Sequence, residues 1–360
     1  MATTLDSYRL LGRSGLRVSP LSLGTMTFGV TTGWGTEDAE AAEMVGRYVD
    51  AGGNFIDTAN YYGQQFGSER VLAPLLKGRR DRIVLATKYT LNMAAGDPNA
   101  SGNQRKNMVQ AVEASLKRLD TDHIDLLYLH MWDGTTPVEE VLRAFDDLVR
   151  AGKIVYAGLS DIPAWQASRM QAIADLRGWT PFVALQIPYN LTERTVERDL
   201  MPMAREMGMG VLPWSPLAGG VLSGKYKRSD LDGSASADVG ANSLSRKSIN
   251  LATGRLSDKN LDIVDAIQDV AAEIGRPVAQ VALAWTLLNP AVTSPILGAR
   301  TLAQFEDNLA ALEIDFSEDQ IRRLDEVSAI PLGFPHDMLG GDVARGMMGI
   351  AGLQARPRPA

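Results

Sequence analysis

The sequence of 360 residues contains no cysteine and only three histidines. The absence of cysteine excludes disulfide bonds, a thiolate nucleophile and thiolate metal sites. The three histidines do not show the HExxH spacing of zinc peptidases, so the sequence gives no indication of metal catalysis. We therefore predict no metal site.

Long apolar runs and an excess of basic charge are also missing. No apolar run approaches the ~18 residues of a membrane span, and the N-terminus lacks the basic and then apolar order of a signal peptide. The net charge of -7 argues against nucleic acid as the main partner, because phosphate binding needs a basic face. We expect a cytoplasmic protein that binds neither membranes nor nucleic acid.

What the sequence does contain is a regular alternation of apolar strands and amphipathic helices. The apolar runs are rich in Val, Ile, Leu and Ala, which is typical of a parallel sheet covered on both faces. The predicted strands are 21–25, 54–59, 82–88, 124–130, 154–160, 182–190, 210–215 and 293–298. The predicted helices are 38–51, 68–77, 104–119, 163–174 and 196–207, with a further helix that opens with a capping box at 136–139 and stops at Gly152.

This alternation predicts an α/β fold, a (β/α)8 TIM barrel with an N-terminal β-hairpin around residues 13–15. An open doubly wound sheet is the alternative. We predict one barrel domain over residues 1–360, with a core at about 8–330 and a C-terminal extension at 331–360 that wraps the barrel or frays. Residues 216–276 after strand seven are predicted to be a long loop, which would serve as a cofactor lid.

The stretch from Gly53 to Gly63, GNFIDTANYYG, carries the strongest functional signal. It reads as a short strand that ends in a loop and so places Asp57 and Tyr62 at one end of the sheet. Lys88 closes the next predicted strand, and His130 closes the one after it. Because catalytic groups of a TIM barrel come from the carboxyl ends of its strands, we predict that these four side chains converge.

With GxNFIDTAxxYG, ATK and DLLYLH in this order, the sequence resembles the aldo-keto reductase superfamily, in its aryl-alcohol dehydrogenase-like and potassium-channel beta-subunit-like branch. The likeness covers about residues 8–315. It implies a catalytic set of Asp57, Tyr62, Lys88 and His130, and NADPH (NADP+) as the cofactor.

The implied reaction is the reduction of an aldehyde or ketone by hydride transfer, with Tyr62 as the proton donor. The Lys88 ammonium would lower the pKa of the phenol, and Asp57 would hold Lys88 in place. His130 would orient the carbonyl oxygen of the small-molecule substrate.

Neither of two other common nucleotide-binding motifs fits the sequence. No Gly-x-Gly-x-x-Gly follows an early strand, so a Rossmann site is not indicated. Residues 219–225 satisfy GxxxxGK, but Tyr226 stands where a P-loop needs Ser or Thr. The same segment fits the loop after strand seven that folds over the pyrophosphate in the family it resembles.

The resemblance also implies a cofactor site on several loops. Trp214 would stack on the nicotinamide, and Ser160, Asp161 and Gln186 would hydrogen-bond its carboxamide, although relatives usually have Asn where Asp161 stands. Arg300 favours NADPH over NADH, because a guanidinium can pair with the 2'-phosphate. The predicted cofactor-binding residues are Gly24, Thr25, Met26, Asp57, Ser160, Asp161, Gln186, Trp214, Ser215, Pro216, Leu217, Ala218, Gly219, Lys225, Gly298, Arg300, Gln304, Asp307 and Asn308.

A purely structural explanation exists for the last of these residues, because Thr301 and Gln304 fit a helix capping box. The substrate cleft is predicted to be aromatic and mostly apolar. Its predicted lining is Phe28, Trp34, Tyr61, Tyr89, Trp132 and Asp133, and the last would bind a hydroxyl of a sugar-like or aryl-alcohol substrate.

Two other functions remain as alternatives. Potassium-channel beta subunits resemble the same family and bind the same cofactor, so the chain could be a regulatory subunit with little turnover; those subunits carry Asn at the position of His130, and the complete set here favours an enzyme. A barrel hydrolase would need a second acid near Asp57, which the sequence does not supply. A homo-oligomer is compatible with the sequence, although no interface signature is visible.

Overall fold

The computed structural model describes residues 3–30, 34–63, 66–231 and 245–350. Within these residues, eight parallel strands form one sheet that curls into a nearly closed barrel in the order β10-β3-β4-β5-β6-β7-β8-β9. The strands are β3 (Ser22–Gly24), β4 (Phe55–Asp57), β5 (Val84–Tyr89), β6 (Ile124–Leu129), β7 (Ile154–Ser160), β8 (Phe182–Pro188), β9 (Gly210–Trp214) and β10 (Ile296–Leu297). The prediction of a (β/α)8 barrel is confirmed, and the open sheet is wrong.

Helices surround the barrel and cover the outer face of the sheet. They are α1 (Asp38–Asp50), α2 (Gly67–Leu76), α3 (Arg105–Leu119), α4 (Val138–Arg150), α5 (Ala164–Arg177), α6 (Leu200–Glu206), α7 (Arg246–Ala252), α8 (Asp258–Ile274), α9 (Val278–Thr286), α10 (Leu302–Leu309), α11 (Glu318–Val327), α12 (His336–Gly340) and α13 (Asp342–Met347). Among the described residues, no helix combines the length and the apolar character needed to cross a membrane.

The predicted N-terminal hairpin is present as β1 (Arg9–Leu10) and β2 (Arg17–Val18). It covers the N-terminal end of the barrel, where the Arg9 guanidinium donates to the carbonyl oxygens of Val292 and Thr293 at 3.4 and 3.3 Å. A Cβ atom at Gly12 would lie only 2.4 Å from the Gly208 carbonyl oxygen, so this close approach requires glycine. The hairpin therefore acts as a floor under the barrel.

Successive side chains of each strand alternate between the barrel interior and the helices. Phe55, Ala86 and Tyr128 belong to the interior cluster, whereas Ile56 and Leu85 pack against the outer helices. Two positions further along their strands, Asp57 and Lys88 again lie on the interior side. The same alternation brings Gln186 inward at the end of β8 after Ala184.

Several predicted elements differ from the observed ones. The eighth strand is limited to Ile296–Leu297, shorter than the predicted 293–298, and the predicted helix 196–207 divides into a 3-10 turn at Thr195–Glu197 followed by α6. The capping box at 136–139 is wrong. The Thr136 hydroxyl donates to the Asp133 carboxylate at 2.7 Å, so it does not cap α4.

The long loop predicted for residues 216–276 is wrong for most of its length. A 3-10 segment at Ala218–Ser223, α7 and the 17-residue α8 occupy it. Helix α8 forms because Leu261, Val264 and Ile267 make a buried face at helical spacing. Part of the Gly- and Ser-rich stretch, 232–244, lies outside the described residues, and so does 351–360 of the C-terminal extension. The described part of that extension forms α12 and α13.

Candidate active site

A buried ion pair lies at the carboxyl end of the strands. The Lys88 ammonium donates to Asp57 Oδ1 at 2.5 Å and to the Thr58 carbonyl oxygen at 2.8 Å, while Gln186 Nε2 donates to Asp57 Oδ2 at 2.8 Å. The Lys88 and Asp57 side chains are 0% and 2% exposed. An unpaired charge at such a position would be costly, and the hydrogen bonds compensate both charges.

Tyr62 and His130 lie against this pair. The Lys88 Nζ atom is 4.6 Å from the centroid of the Tyr62 ring. The Tyr62 and His130 rings meet edge to face, with centroids 5.7 Å apart and planes at 81°. The structure thus brings together all four side chains that the sequence predicts to converge.

The protonation states follow from burial and neighbouring charge. Burial alone would lower the pKa of the Lys88 ammonium, but Asp57 and Tyr62 raise it above its usual range. Burial raises the pKa of the Tyr62 phenol, and the nearby Lys88 offsets only part of this change. Lys88 thus acts on the phenol in the predicted direction, but burial has the larger effect and the pKa of Tyr62 lies above its usual value. Burial and then the Lys88 charge lower the pKa of His130 to about 3, so its imidazole is neutral at ordinary pH.

Three hydroxyl groups fix the turn that carries Asp57 and Tyr62. The Thr25 hydroxyl donates to the Asp57 carbonyl oxygen at 3.0 Å, and the Ser68 hydroxyl lies 2.8 Å from both the Thr25 and the Thr58 hydroxyls. Thr25 is fully buried, so its side chain does not reach the cleft as a cofactor-binding side chain would. Thr58 and Ser68 were missed from the sequence, where only their position beside the motif could have indicated them.

The loop after β9 has an unusual backbone. Ser215, Ala218, Gly219 and Gly220 all have positive φ, between 50° and 88°. Successive residues of this kind turn their N-H groups toward one side and form a concavity that suits an anion. A Cβ atom at Gly219 would lie 2.5 Å from Asn250 Oδ1, so glycine is required there.

A cluster of cations is associated with this loop. Lys225 Nζ lies 2.8 Å from where a Cβ atom of Gly220 would stand. Burial lowers the pKa of Lys225, and the charges of Arg300 and Arg246 lower it further. Burial also lowers the pKa of Arg246, as do Arg255 and Arg300. Cations that repel one another in this way favour a bound anion. The donors therefore fit a phosphate-bearing cofactor, and Arg246 was not foreseen from the sequence.

Other predicted cofactor-binding residues already have partners within the protein. The Gln304 amide oxygen accepts from the Arg300 backbone N-H at 3.2 Å, and the Gln304 N-H donates to the N-cap hydroxyl of Thr301. Asp307 accepts from Gln280 Nε2 through both its carbonyl and its carboxylate, at 2.8 and 2.9 Å. Asn308 is buried. The predicted structural explanation is therefore correct: Thr301 and Gln304 cap the start of α10.

The residues predicted to meet the nicotinamide lie around Trp214. The Trp214 indole N-H donates to Asp161 Oδ1 at 3.1 Å, and Asp161 has a positive φ of 41°, which Asp and Asn tolerate better than other side chains. Ser160 is buried, and the Gln186 amide nitrogen is bound to Asp57. Gly24 is the last residue of β3 and lies against Ile296 of the neighbouring strand β10. Met26, two residues later, is 39% exposed.

The comparison with known proteins decides the family. The model of the Aldo/keto reductase family matches residues 20–329. The chain belongs to the aldo/keto reductase family. It is 38% identical to "Uncharacterized oxidoreductase YrpG" of Bacillus subtilis, over 91% of this chain and 97% of the relative.

Two fungal relatives carry more specific names. The chain is 37% identical to the "Norsolorinic acid reductase" of Aspergillus flavus, over 94% of this chain and 85% of the relative. It is 35% identical to the "Aryl-alcohol dehydrogenase [NADP(+)]" of Phanerodontia chrysosporium, over 94% of this chain and 90% of the relative. These matches, together with the family model, indicate an oxidoreductase that acts on carbonyl groups.

Two of the predicted substrate contacts in this aldo/keto reductase are wrong. Phe28 is 0% and Tyr89 1% exposed. Phe28 packs in the outer core with Tyr48. Tyr89 follows Lys88 on the same strand and therefore points to the opposite face, where its ring lies 6.1 Å from that of Phe145. Neither side chain reaches a cleft.

Asp133 is also not available to a substrate hydroxyl. Its Oδ1 accepts from the backbone N-H groups of Thr135 and Thr136 at 2.8 and 2.9 Å. Its Oδ2 accepts from the Asn103 N-H and the Thr136 hydroxyl, both at 2.7 Å. Two carboxylate oxygens offer about four acceptor sites, and all four are used. The predicted hydroxyl-binding role is therefore wrong, and Asp133 instead connects the loops after β5 and β6 through hydrogen bonds.

The remaining aromatic candidates differ in their surroundings. Tyr61 is 54% exposed beside Tyr62. Trp132 lines a cleft of about 380 Å³ between the loops after β5 and β6, together with Thr90 and Leu91. The Trp34 ring lies 4.5 Å from the Arg246 guanidinium carbon, so it contacts the cation cluster. Unlike Phe28 and Tyr89, Tyr61 is exposed and Trp132 borders a cleft.

Proposed function

We propose that this aldo/keto reductase is an NADPH-dependent enzyme that reduces an aldehyde or ketone to the alcohol, with Tyr62 as the proton donor. The observation that carries the proposal is the convergence of Tyr62, Lys88, Asp57 and His130 at one buried site. A regulatory subunit would need the cofactor but no such acid and base groups.

The chemistry divides between cofactor and protein. When bound, NADPH would supply the hydride. Tyr62 holds its proton at neutral pH, because burial raises the pKa of its phenol, and it donates that proton to the carbonyl oxygen. The Lys88 ammonium stabilises the resulting phenolate until solvent returns a proton. Asp57 keeps Lys88 charged and in place.

His130 has the properties of a neutral hydrogen-bond donor. Its pKa of about 3 keeps the imidazole uncharged, and its buried Nδ1 has no hydrogen-bond partner among the described residues. A neutral N-H directed at the carbonyl oxygen would orient the substrate and stabilise the negative charge that develops there. Because His130 stays neutral, it does not add a second positive charge beside Lys88.

Two features support NADPH as the cofactor. The concave loop of Ser215, Ala218, Gly219 and Gly220 would hold the pyrophosphate through backbone N-H groups. The cations of Lys225, Arg246 and Arg300 would hold further phosphate charge, which an adenosine 2'-phosphate supplies and NADH lacks. The printed name of the Phanerodontia relative includes NADP(+), in agreement with this assignment.

The substrate we propose is an aromatic carbonyl compound. Two relatives are named for norsolorinic acid and for aryl alcohols. Trp132 and Tyr61 would stack on an aromatic ring at the mouth of the site, where offset or edge-to-face contacts add about 0.5–1.5 kcal/mol.

The test is a fluorescence titration with NADPH and with NADH, followed by turnover at the absorbance band of reduced nicotinamide. Aromatic aldehydes and ketones are compared with aliphatic carbonyls of equal carbon number. We expect tighter binding of NADPH and faster oxidation of NADPH with the aromatic series. Binding without turnover would favour a regulatory subunit, and absence of binding would overturn the cofactor assignment.

A further inference from the structure

Asn103 belongs to the loop after β5 and contacts the loop after β6, and every polar group it has is hydrogen-bonded. Its Nδ2 atom donates to the Thr90 hydroxyl at 3.0 Å and to the Met131 carbonyl oxygen at 2.9 Å. Its Oδ1 accepts from the Asp133 N-H at 2.8 Å, its own N-H donates to the Asp133 carboxylate at 2.7 Å, and its carbonyl oxygen accepts from the Tyr89 hydroxyl at 3.2 Å.

Loss of any of these hydrogen bonds would be unfavourable because Asn103 is buried. Asn103 is 0% exposed, so a lost partner would leave a buried polar group without a hydrogen bond. Three of the five hydrogen bonds, those with Met131 and Asp133, join the loops after β5 and β6 that line the 380 Å³ cleft.

Thr90 shows what the bonds hold in place. It has a φ of 119°, a conformation that a β-branched residue rarely adopts. Strain of this kind persists only where the surroundings enforce it. Here the enforcement comes from Asn103 at the hydroxyl and from Gly102, whose N-H donates to the Thr90 carbonyl oxygen at 2.7 Å.

The strained residue contacts the backbone of the candidate catalytic residue His130. The His130 backbone N-H lies 3.3 Å from the Thr90 hydroxyl oxygen and 3.1 Å from the Tyr89 carbonyl oxygen. Met131, the next residue, is held by Asn103 itself. The Asn103 side chain thus fixes Thr90, which accepts from the His130 N-H, and Met131, which follows His130. Asn103 itself does not reach the reacting atoms.

We propose that Asn103 is a positioning residue for His130, acting through Thr90 and Met131 and fixed in turn by Asp133. This inference rests on the proposed function, because it assigns a role in the same carbonyl reduction. A displacement of about 1 Å in a positioning group can cost up to ~100-fold in rate. Removing the Asn103 amide while the rest of the site is kept should cost about tenfold in kcat.

The test compares Asn103→Ala with Asn92→Ala, an identical change at an exposed position of the same loop whose side chain makes a local bond to the Ala94 N-H. We expect kcat to fall about tenfold in Asn103→Ala, with the KM for the carbonyl and the Kd for NADPH within about twofold of wild type. Asn92→Ala should match wild type in all three. A higher KM with unchanged kcat would overturn the proposal, because it would mean that Asn103 only shapes the cleft.

A double variant separates positioning from general loss of structure. If Asn103 acts through His130, then Asn103→Ala added to His130→Ala should lower kcat no further than His130→Ala alone. Losses that multiply would overturn the proposal. If Asn103→Ala does not fold, Thr90→Val removes the linking hydroxyl at nearly constant shape and should show the same dependence on His130, while Thr90→Ser should recover most of the lost rate.

Hydrogen exchange provides a readout that needs no turnover. In Asn103→Ala, amides of residues 129–133 should exchange at least fivefold faster than in wild type or in Asn92→Ala. Unchanged exchange would overturn the positioning role. If the wild type shows no carbonyl reduction, the proposed function fails on its own, and the exchange experiment still decides whether Asn103 holds this segment.

Discussion

The two charged clusters of this barrel are built in different ways. Asp57 and Lys88 lie on neighbouring strands, are buried and neutralise each other at 2.5 Å. Lys225, Arg246 and Arg300 lie on separate segments beyond β9 and β10; besides burial, the charges of Arg300 and Arg246 lower the pKa of Lys225, and the charge of Arg300 also lowers the pKa of Arg246. The strands thus carry a buried pair of opposite charges, whereas the loops bring like charges near one another.

This difference predicts different responses to mutation and solvent. A buried pair in a low dielectric is little affected by salt, whereas charges on loops are screened over about 8 Å at physiological ionic strength. Changes to the strand cluster should therefore affect the rate of the chemical step. Changes to the loop cluster should affect the binding and choice of cofactor.

Tyr62→Phe should give the largest effect, because it breaks the strand cluster at the group that gives up the proton. The phenyl ring can keep its contacts with Lys88 and His130, so the Kd for NADPH should change less than twofold. We expect kcat to fall by about 10³-fold, since general acid catalysis contributes typically 10²–10⁴-fold. Steady-state turnover with fluorescence titration as the binding control measures both. A kcat near the wild-type value would exclude Tyr62 as the donor.

Arg300→Ala should give a smaller effect, limited to the cofactor. Losing a charge-assisted pair with a phosphate should raise the KM for NADPH about tenfold and leave the KM for NADH within about twofold. Added salt should weaken the preference of wild type for NADPH in the same direction. Arg276→Ala, which removes an exposed pair with Glu313, is the matched control. Equal changes in both KM values would refute the assignment to the 2'-phosphate.

The pH dependence of stability gives the smallest effect and sharpens the description of the strand cluster. His130 has a pKa of about 3 when folded and about 6.5 when unfolded, so the unfolded chain takes up more protons below pH 6.5. The free energy of unfolding should therefore fall as the pH decreases from 6.5. At pH 5.5 the protonation of His130 in the unfolded chain should lower the free energy of unfolding by about 1.4 kcal/mol.

Urea unfolding of wild type and His130→Gln at pH 7.5 and 5.5 measures this contribution. The variant should lose about 1.4 kcal/mol less than wild type over this interval. The same loss in both proteins would mean that His130 is not held neutral by its surroundings.

The same contrast explains what could be predicted from the sequence. Asp57, Lys88 and His130 could be predicted because each closes an apolar run, and parallel strands end at one edge of the sheet. Phe28 and Tyr89 were misplaced because an aromatic next to a functional residue looks the same in sequence whichever way it points. For Tyr89, the period of two along β5 turns it away from Lys88.

Other features depend on distances that a sequence does not contain. The pKa of Tyr62 is set by burial against the Lys88 charge, and only the structure shows that burial is the larger effect. Asp133 looked like a free carboxylate because its four donors are backbone and side-chain groups of its own and a neighbouring loop. Arg246 follows a Gly- and Ser-rich stretch that gives it no fixed spacing from any strand.

The closure of the barrel also imposes an order on its formation during synthesis. Ser22 pairs with Ile296, and the Arg9 guanidinium binds the carbonyl oxygens of Val292 and Thr293. One edge of β3 pairs early, with β4, but its other edge and the Arg9 side chain gain their partners only when some of the last residues of the core have been translated. Asp57 and Lys88, in contrast, become available to each other when less than a third of the chain has been made.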